Sequence, residues 1–203
     1  MCQYENVSIS QFKMRKVLGL VIFISIFGCK SDTENQILEL SKKSQEFASN
    51  EKFDEAINAL NEIEKIEPNY KYLHSRKAGL FLYADKFIEA KAEINKELKN
   101  DSLNAEFWML KGIITRKLNE IEYSNLCFKN SLKFYKFGKS YSFKSENDLD
   151  QMKFILLHIV NDTESKTKKE QLKSKWRLDY KMSDFLKDIE SETSEKALKM
   201  LYK

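Results

Sequence analysis

Lys52-Phe53-Asp54-Glu55-Ala56 comes back thirty-four residues later as Lys86-Phe87-Ile88-Glu89-Ala90, and after another thirty-four as Glu120-Ile121-Glu122-Tyr123-Ser124. A large apolar residue followed three places on by a small one fits one face of a helix. Its return at a fixed period of about 34 predicts stacked helical hairpins. The register holds when the window is widened. Leu60, Ile94 and Phe128 align as large residues, Ser44, Ala78 and Gly112 as small ones, and Leu40, His74 and Trp108 as an earlier large position. Two helices approach closely only where a side chain is short, so the small positions mark the contact inside each hairpin, with Phe87 or Trp108 filling the space beside it. Trp108 is expected to be mostly buried.

These positions resemble the tetratricopeptide repeat (TPR) family, with repeats at 37–70, 71–104 and 105–138. The resemblance implies an all-α fold, a right-handed superhelical stack of three helical hairpins. It also implies a scaffold that binds a protein or peptide partner in a concave groove lined by the first helix of each hairpin. Carried over position by position, the groove falls on Ser41, Gln45 and Ala48, then Tyr72, Ser75, Gly79, Leu82 and Tyr83, then Glu106, Met109, Ile113 and Arg116. Leu82 and Ile113 suit packing between repeats equally well. Chaperone-binding members clamp a terminal carboxylate with a set of Lys, Arg and Asn. Only Arg76 is of the right type here, so that subclass is disfavoured and apolar anchors on a helix or extended peptide suit the groove better.

Helix boundaries follow from the pattern. The first hairpin pairs a helix from about Gln36 to Ser49 with one carrying Phe53, Ala56, Ile57, Leu60, Ile63 and Ile66, which Pro68 ends. The second pairs 72–83 with 87–98, the third 105–118 with 122–134. Glu97 stands where the family has a small core residue, so repeat 2 is expected to be looser there or to turn Glu97 to solvent. Phe137-Gly138-Lys139-Ser140 breaks the register. Beyond it, Leu149 to Val160 forms another apolar stripe. Asp162-Thr163 reads as the N-cap of a helix bearing Leu172, Trp176 and Tyr180. Solenoids need an atypical terminal unit, so 139–203 reads as a helical capping extension.

The N-terminus is a different kind of sequence. Lys13, Arg15 and Lys16 precede an apolar run from Val17 to Phe27 that ends at Gly28-Cys29. A basic start, a short apolar stretch and a small final residue describe a secretory signal peptide over 1–28. Met14 is an alternative start. Ile26-Phe27-Gly28-Cys29 resembles a bacterial lipobox, which implies lipidation of Cys29, with 29–36 as a polar tether. Two or more acyl chains anchor a protein stably where one does not. The expected location is the bacterial cell envelope, anchored to a membrane through this lipid.

Composition narrows the function. The chain has one Pro, five Gly and a formal net charge of +4 spread over many mixed charges. That is a solvated helical surface, with no nucleic-acid footprint. His74 and His158 have no companion at metal-ligand spacing, and no phosphate loop or nucleophile elbow occurs, so no metal, cofactor or enzyme activity is expected. After loss of Cys2 and lipidation of Cys29, Cys127 stands alone as a small buried thiol. The basic run from Lys166 to Arg177 reads as a solvated helix face with a lesser case for touching anionic lipid. The first reading is a lipid-anchored adaptor of an envelope complex. The alternative is an immunity or inhibitory lipoprotein that neutralises one toxin or enzyme.

Overall fold

A computed structural model describes residues 14–135 and 145–202; the register break at Phe137-Gly138-Lys139-Ser140 lies outside the described residues. Ten helices follow one another, with no strand among the described residues: α1 (Met14–Ser49), α2 (Phe53–Ile66), α3 (Leu73–Tyr83), α4 (Phe87–Asn100), α5 (Ala105–Lys117), α6 (Ile121–Phe134), α7 (Glu146–Val160), α8 (Thr163–Lys175), α9 (Tyr180–Ser191) and α10 (Ser194–Lys199). The protein is all-α. The first three pairs, α1 with α2, α3 with α4 and α5 with α6, each pack as a hairpin. The chain divides into two compact units, residues 1–70 and residues 71–203, so the compact division falls inside the repeat series.

The repeat is written into the backbone at each corner. Glu51, Asp85 and Asn119 stand 34 residues apart and all take positive φ, 59°, 56° and 61°. Around each, the same two bonds recur. Lys52 N–H donates to Phe47 O (2.9 Å), Lys86 to Phe81 (2.8 Å) and Glu120 to Thr115 (2.9 Å). One residue earlier, Glu51 donates to Ala48, Asp85 to Leu82 and Asn119 to Arg116. This six-to-one and five-to-two pair is the Schellman ending of a helix, which satisfies carbonyls the helix itself leaves unpaired. Glycine commonly takes the left-handed position there; this chain uses two carboxylates and an Asn, so each corner carries backbone strain.

In the unit of residues 1–70, α1 and α2 meet at Ser44, whose hydroxyl donates to the Ala56 carbonyl (3.0 Å). Leu60 and Ile63 are fully buried beside it. α1 runs as one helix from Met14 to Ser49, so residues 30–36 are helical and continuous with the hairpin's first helix.

In the unit of residues 71–203, the same close-approach position is built from the other side. Ser124 on α6 donates to the Gly112 carbonyl of α5 (2.8 Å). Phe128 lies so near that a Cβ on Gly112 would sit 2.5 Å from its Cε1. Between these, Ala78 and Ala90 bring α3 and α4 together with no hydroxyl needed, both fully buried. α4 packs on α5, α6 on α7, and α7 then carries α8, α9 and α10. A continuous apolar cluster runs from Ala78 to Leu198, including Phe128, Phe154, Met182, Leu186 and Ala197.

Two expectations are corrected. Glu97 is buried with 6% exposure and is neither loose nor turned out. Its carboxylate accepts the Ser75 N–H (3.0 Å), so α4 satisfies a free donor in the first turn of α3, where negative charge also suits the helix dipole. Trp108 is mostly buried, as expected, and packs against the apolar cluster. Its neighbour Phe107 is the more deeply buried aromatic of α5, while the Trp108 indole N–H leans back to the Ser102 carbonyl (2.8 Å). Tyr180 does not share a helix with Leu172 and Trp176. α8 ends at Lys175, Asp179 caps a new helix by accepting Met182 N–H (3.0 Å), and Tyr180 opens that helix exposed.

Candidate functional site

α3 owes its place to both ends of repeat 2. Leu73 and Ala78 are fully buried and Leu82 nearly so, which fixes one side of the helix inward. Tyr72, Ser75, Gly79 and Tyr83, at steps of three, four and four, then share the opposite side. Tyr72 is 37% exposed and Tyr83 50%. At Gly79 between them, an added Cβ would meet nothing within 4 Å. Two aromatic rings therefore flank a bare stretch of helix backbone about one and two turns away on either side.

The ends of this face are held in place. Tyr72 caps α3 with φ of 63°, a left-handed conformation that bulky residues seldom adopt and that stores strain. Its ring meets Phe107 edge-on at 6.0 Å, and the Lys71 ammonium lies 4.6 Å from the ring centre. The Ser75 hydroxyl donates to the Tyr72 carbonyl (2.9 Å). At the far end, the Tyr83 hydroxyl donates to the Tyr202 carbonyl (2.8 Å), and the Lys117 ammonium sits 5.1 Å from the Tyr202 ring. The C-terminal segment thus fixes the second tyrosine, a role that no local pattern around Tyr202 announced.

Leu82, Ile113, Arg116 and Met109 do not join this face. Leu82 and Ile113 are core residues, 4% and 1% exposed, because the hairpins close over them. Arg116 turns to its own hairpin partner, where Nε donates to Ser124 Oγ (3.1 Å), a terminal nitrogen donates to Asn125 Oδ1, and the group lies 5.9 Å from the Phe128 ring. Burial lowers its pKa, offset in part by Glu122. Met109 is half-buried and its sulfur accepts the Tyr135 hydroxyl (3.6 Å). Ser41, Gln45 and Ala48 belong to the other compact unit, where Gln45 is exposed and Ser41 and Ala48 are half-buried.

Beneath the N-terminal end of α3 lies a buried charge cluster. Glu93 Oε2 is 2.7 Å from His74 Nδ1, and Glu93 Oε1 is 2.7 Å from Lys96 Nζ and 3.6 Å from Lys77 Nζ. Burial pulls the Glu93 carboxyl up. Hydrogen bonds from Lys96 and His74, with the Lys77 charge, outweigh it and hold the group below the usual carboxylate range. A buried carboxylate with three such partners is satisfied, so the cluster braces α3 against α4. His158 likewise has a structural partner, the Glu192 carbonyl at 2.9 Å. No group of three or more His, Cys, Asp or Glu side chains is placed to hold a metal among the described residues. Cys127 is fully buried, and that burial pushes its thiol up to about 11. Cys29 falls within α1, but its side chain lies outside the described residues. Among the described residues, no helix is long and apolar enough to cross a membrane.

No protein-family model matches the chain, and no curated protein matches it. Among solved structures, the first TPR of Spaghetti (RPAP3), bound to the HSP90 peptide SRMEEVD, is similar at 19% identity and a TM-score of 0.47. The match covers 58% of this chain and 90% of that one. The hairpin architecture of the present chain stands on its own repeated corners and close-approach positions.

Proposed function

We propose that this protein is a lipid-anchored interaction scaffold of a bacterial cell envelope, holding a peptide or helix of a protein partner along the open face of α3. The observation that carries the reading is the bare backbone at Gly79, where a side chain would meet nothing, set between the exposed rings of Tyr72 and Tyr83. A partner's apolar side chain can reach the α3 backbone there and be flanked by two aromatics. Rigid aromatic side chains around an open notch are the usual anchors of a protein interface. Capture of a terminal carboxylate is not the mode, since of the two basic side chains on α3 Lys77 is buried beside Glu93, which leaves only Arg76 of the clamp type. The lipid anchor rests on the Gly28-Cys29 pattern behind a basic and apolar leader.

The test has two arms. Tagged wild-type protein recovered from membranes is compared with Gly79→Arg, which fills the notch without touching the core. Loss of one specific co-purifying protein on Gly79→Arg, with the variant's helicity unchanged, supports the reading; identical partners on both would sink it. In the second arm, Cys29→Ala should leave the detergent phase and lose acyl mass. An intact peptide spanning Phe27 to Lys30 in the major cellular form would remove the anchor from the proposal.

A further inference from the structure

A second surface lies far along the chain from α3. α6 and α8 both lean on α7 and leave a trough of about 670 Å3 between them. Its floor and sides are apolar at Leu132, Leu157 and Leu172. Its rim carries five lysines, Lys129 and Lys133 from α6, Lys153 from α7, and Lys168 and Lys175 from α8, against one lining carboxylate, Glu164. Lys129 and Lys133 are four residues apart and Lys168 and Lys175 seven, so each helical wall presents its lysines on one side. The trough follows α8 from Glu164 to Lys175, about 16 Å at 1.5 Å per residue, or three helical turns.

We propose that this trough receives an acidic amphipathic helix of a partner protein. An apolar seam would lie on the three leucines, and carboxylates on both of its flanks would meet the two lysine walls. Carboxylates of this chain already touch most of the rim. Lys168 pairs with Glu164 (2.7 Å), Lys129 with Asp162, Lys175 with Glu146 (2.7 Å) and Asp150 (2.6 Å), and Lys153 lies 3.9 Å from Asp150. Apart from those to the buried Asp150 and that of Lys129 with Asp162, these are exposed pairs, of the kind that exchange partners at little cost. Lys133 has no ion pair among the described residues and lies 5.5 Å from the Phe134 ring centre. Two lysines of the basic run of α8, Lys168 and Lys175, thus form one wall of a two-walled groove. A helix laid into an apolar groove between charged walls is a known physical mode of recognition. The opposite signs speed and orient the encounter.

The full chain is titrated against a labelled 14-residue peptide with leucines at i, i+3, i+4 and i+7 and glutamates on both flanks, read by fluorescence anisotropy. A version with every Glu changed to Lys and a version with every Leu changed to Ser are run beside it. The acidic peptide should bind at least tenfold more tightly than either, and more weakly as salt rises. Lys133→Glu with Lys168→Glu should weaken it at least tenfold, whereas Lys187→Glu, exposed on α9, should not; circular dichroism checks that each variant is folded. Equal binding of the acidic and basic peptides, or an unchanged affinity in the double variant, overturns the proposal. So does binding to phosphatidylglycerol vesicles that needs Lys133 and Lys168 while the acidic peptide shows none.

Discussion

Two glycines of the same fold should respond in opposite directions to the same substitution. At Gly112 the new methyl would lie 2.5 and 2.6 Å from Cε1 and Cδ1 of Phe128, where carbon atoms normally stand 3.5–4.0 Å apart. Phe128 is fully buried, so its ring cannot swing into solvent. The helices must separate instead, which strains the Ser124 hydroxyl bond to the Gly112 carbonyl at the same spot. Overpacking costs about 1–3 kcal/mol and a weakened buried hydrogen bond about 1, against a gain of about 1 for replacing a helical glycine by alanine. Gly112→Ala should therefore lose about 1–3 kcal/mol. Gly79→Ala meets nothing within 4 Å and keeps the propensity gain, so it should stabilise by about 0.5–1 kcal/mol. Urea unfolding followed by circular dichroism reads both. Adding Phe128→Leu should recover part of the Gly112→Ala loss. A Gly112→Ala protein as stable as the wild type would refute the close approach of α5 and α6, and with it the repeat register.

The hairpin corners give a second test. Asp85→Gly should relieve the left-handed strain and stabilise the fold by up to about 1 kcal/mol, raising the urea midpoint, while Asp85→Val should lower it; the same midpoint for both would mean that the corner is not left-handed. Cys127, buried and with its thiol raised to about 11, should resist maleimide at pH 8 in the folded protein and label fully in urea, read by peptide mapping. Rapid native labelling would place it at the surface. Asp162 caps α8 through the Ser165 N–H (2.8 Å), and its hydrogen bonds from Lys129 and Ser165 depress its pKa strongly. A depressed carboxylate stabilises above its unfolded value, near 3.9, and loses that contribution as pH falls toward its folded value. Stability should thus decline from about pH 4 downward, and Asp162→Asn, which keeps a capping oxygen, should show a smaller difference between pH 7 and pH 3. An identical acid loss in the variant would assign the effect elsewhere.

Hairpin boundaries were legible because they depend on local information. Phe53, Phe87 and Ile121 open three helices at one period, and Ser44, Ala78 and Gly112 mark where backbones meet. Side-chain direction was less legible, because it depends on partners distant in sequence. Glu97 looks misplaced until the Ser75 N–H, twenty-two residues away, is brought to it. Arg116 fits a groove by position, but Ser124 and Asn125 across the hairpin supply better acceptors than open solvent. Trp176 is spaced to continue a stripe with Tyr180, yet its indole N–H finds the buried Asp150 of α7 (2.9 Å), and the chain turns there. The α3 face was read in part. Tyr72, Ser75, Gly79 and Tyr83 share it, whereas Leu82, one residue off that face, goes to the core.

The central claim is that a partner docks on the open face of α3, and site-specific photocrosslinking in membranes tests it most directly. A photoreactive residue is placed at position 79, at position 75 on the same face, and at Ile88, which is 74% exposed on α4. One and the same protein should be captured from 79 and 75 and be absent from 88. Capture of identical proteins from all three positions, or of none from 79 and 75, would contradict the claim.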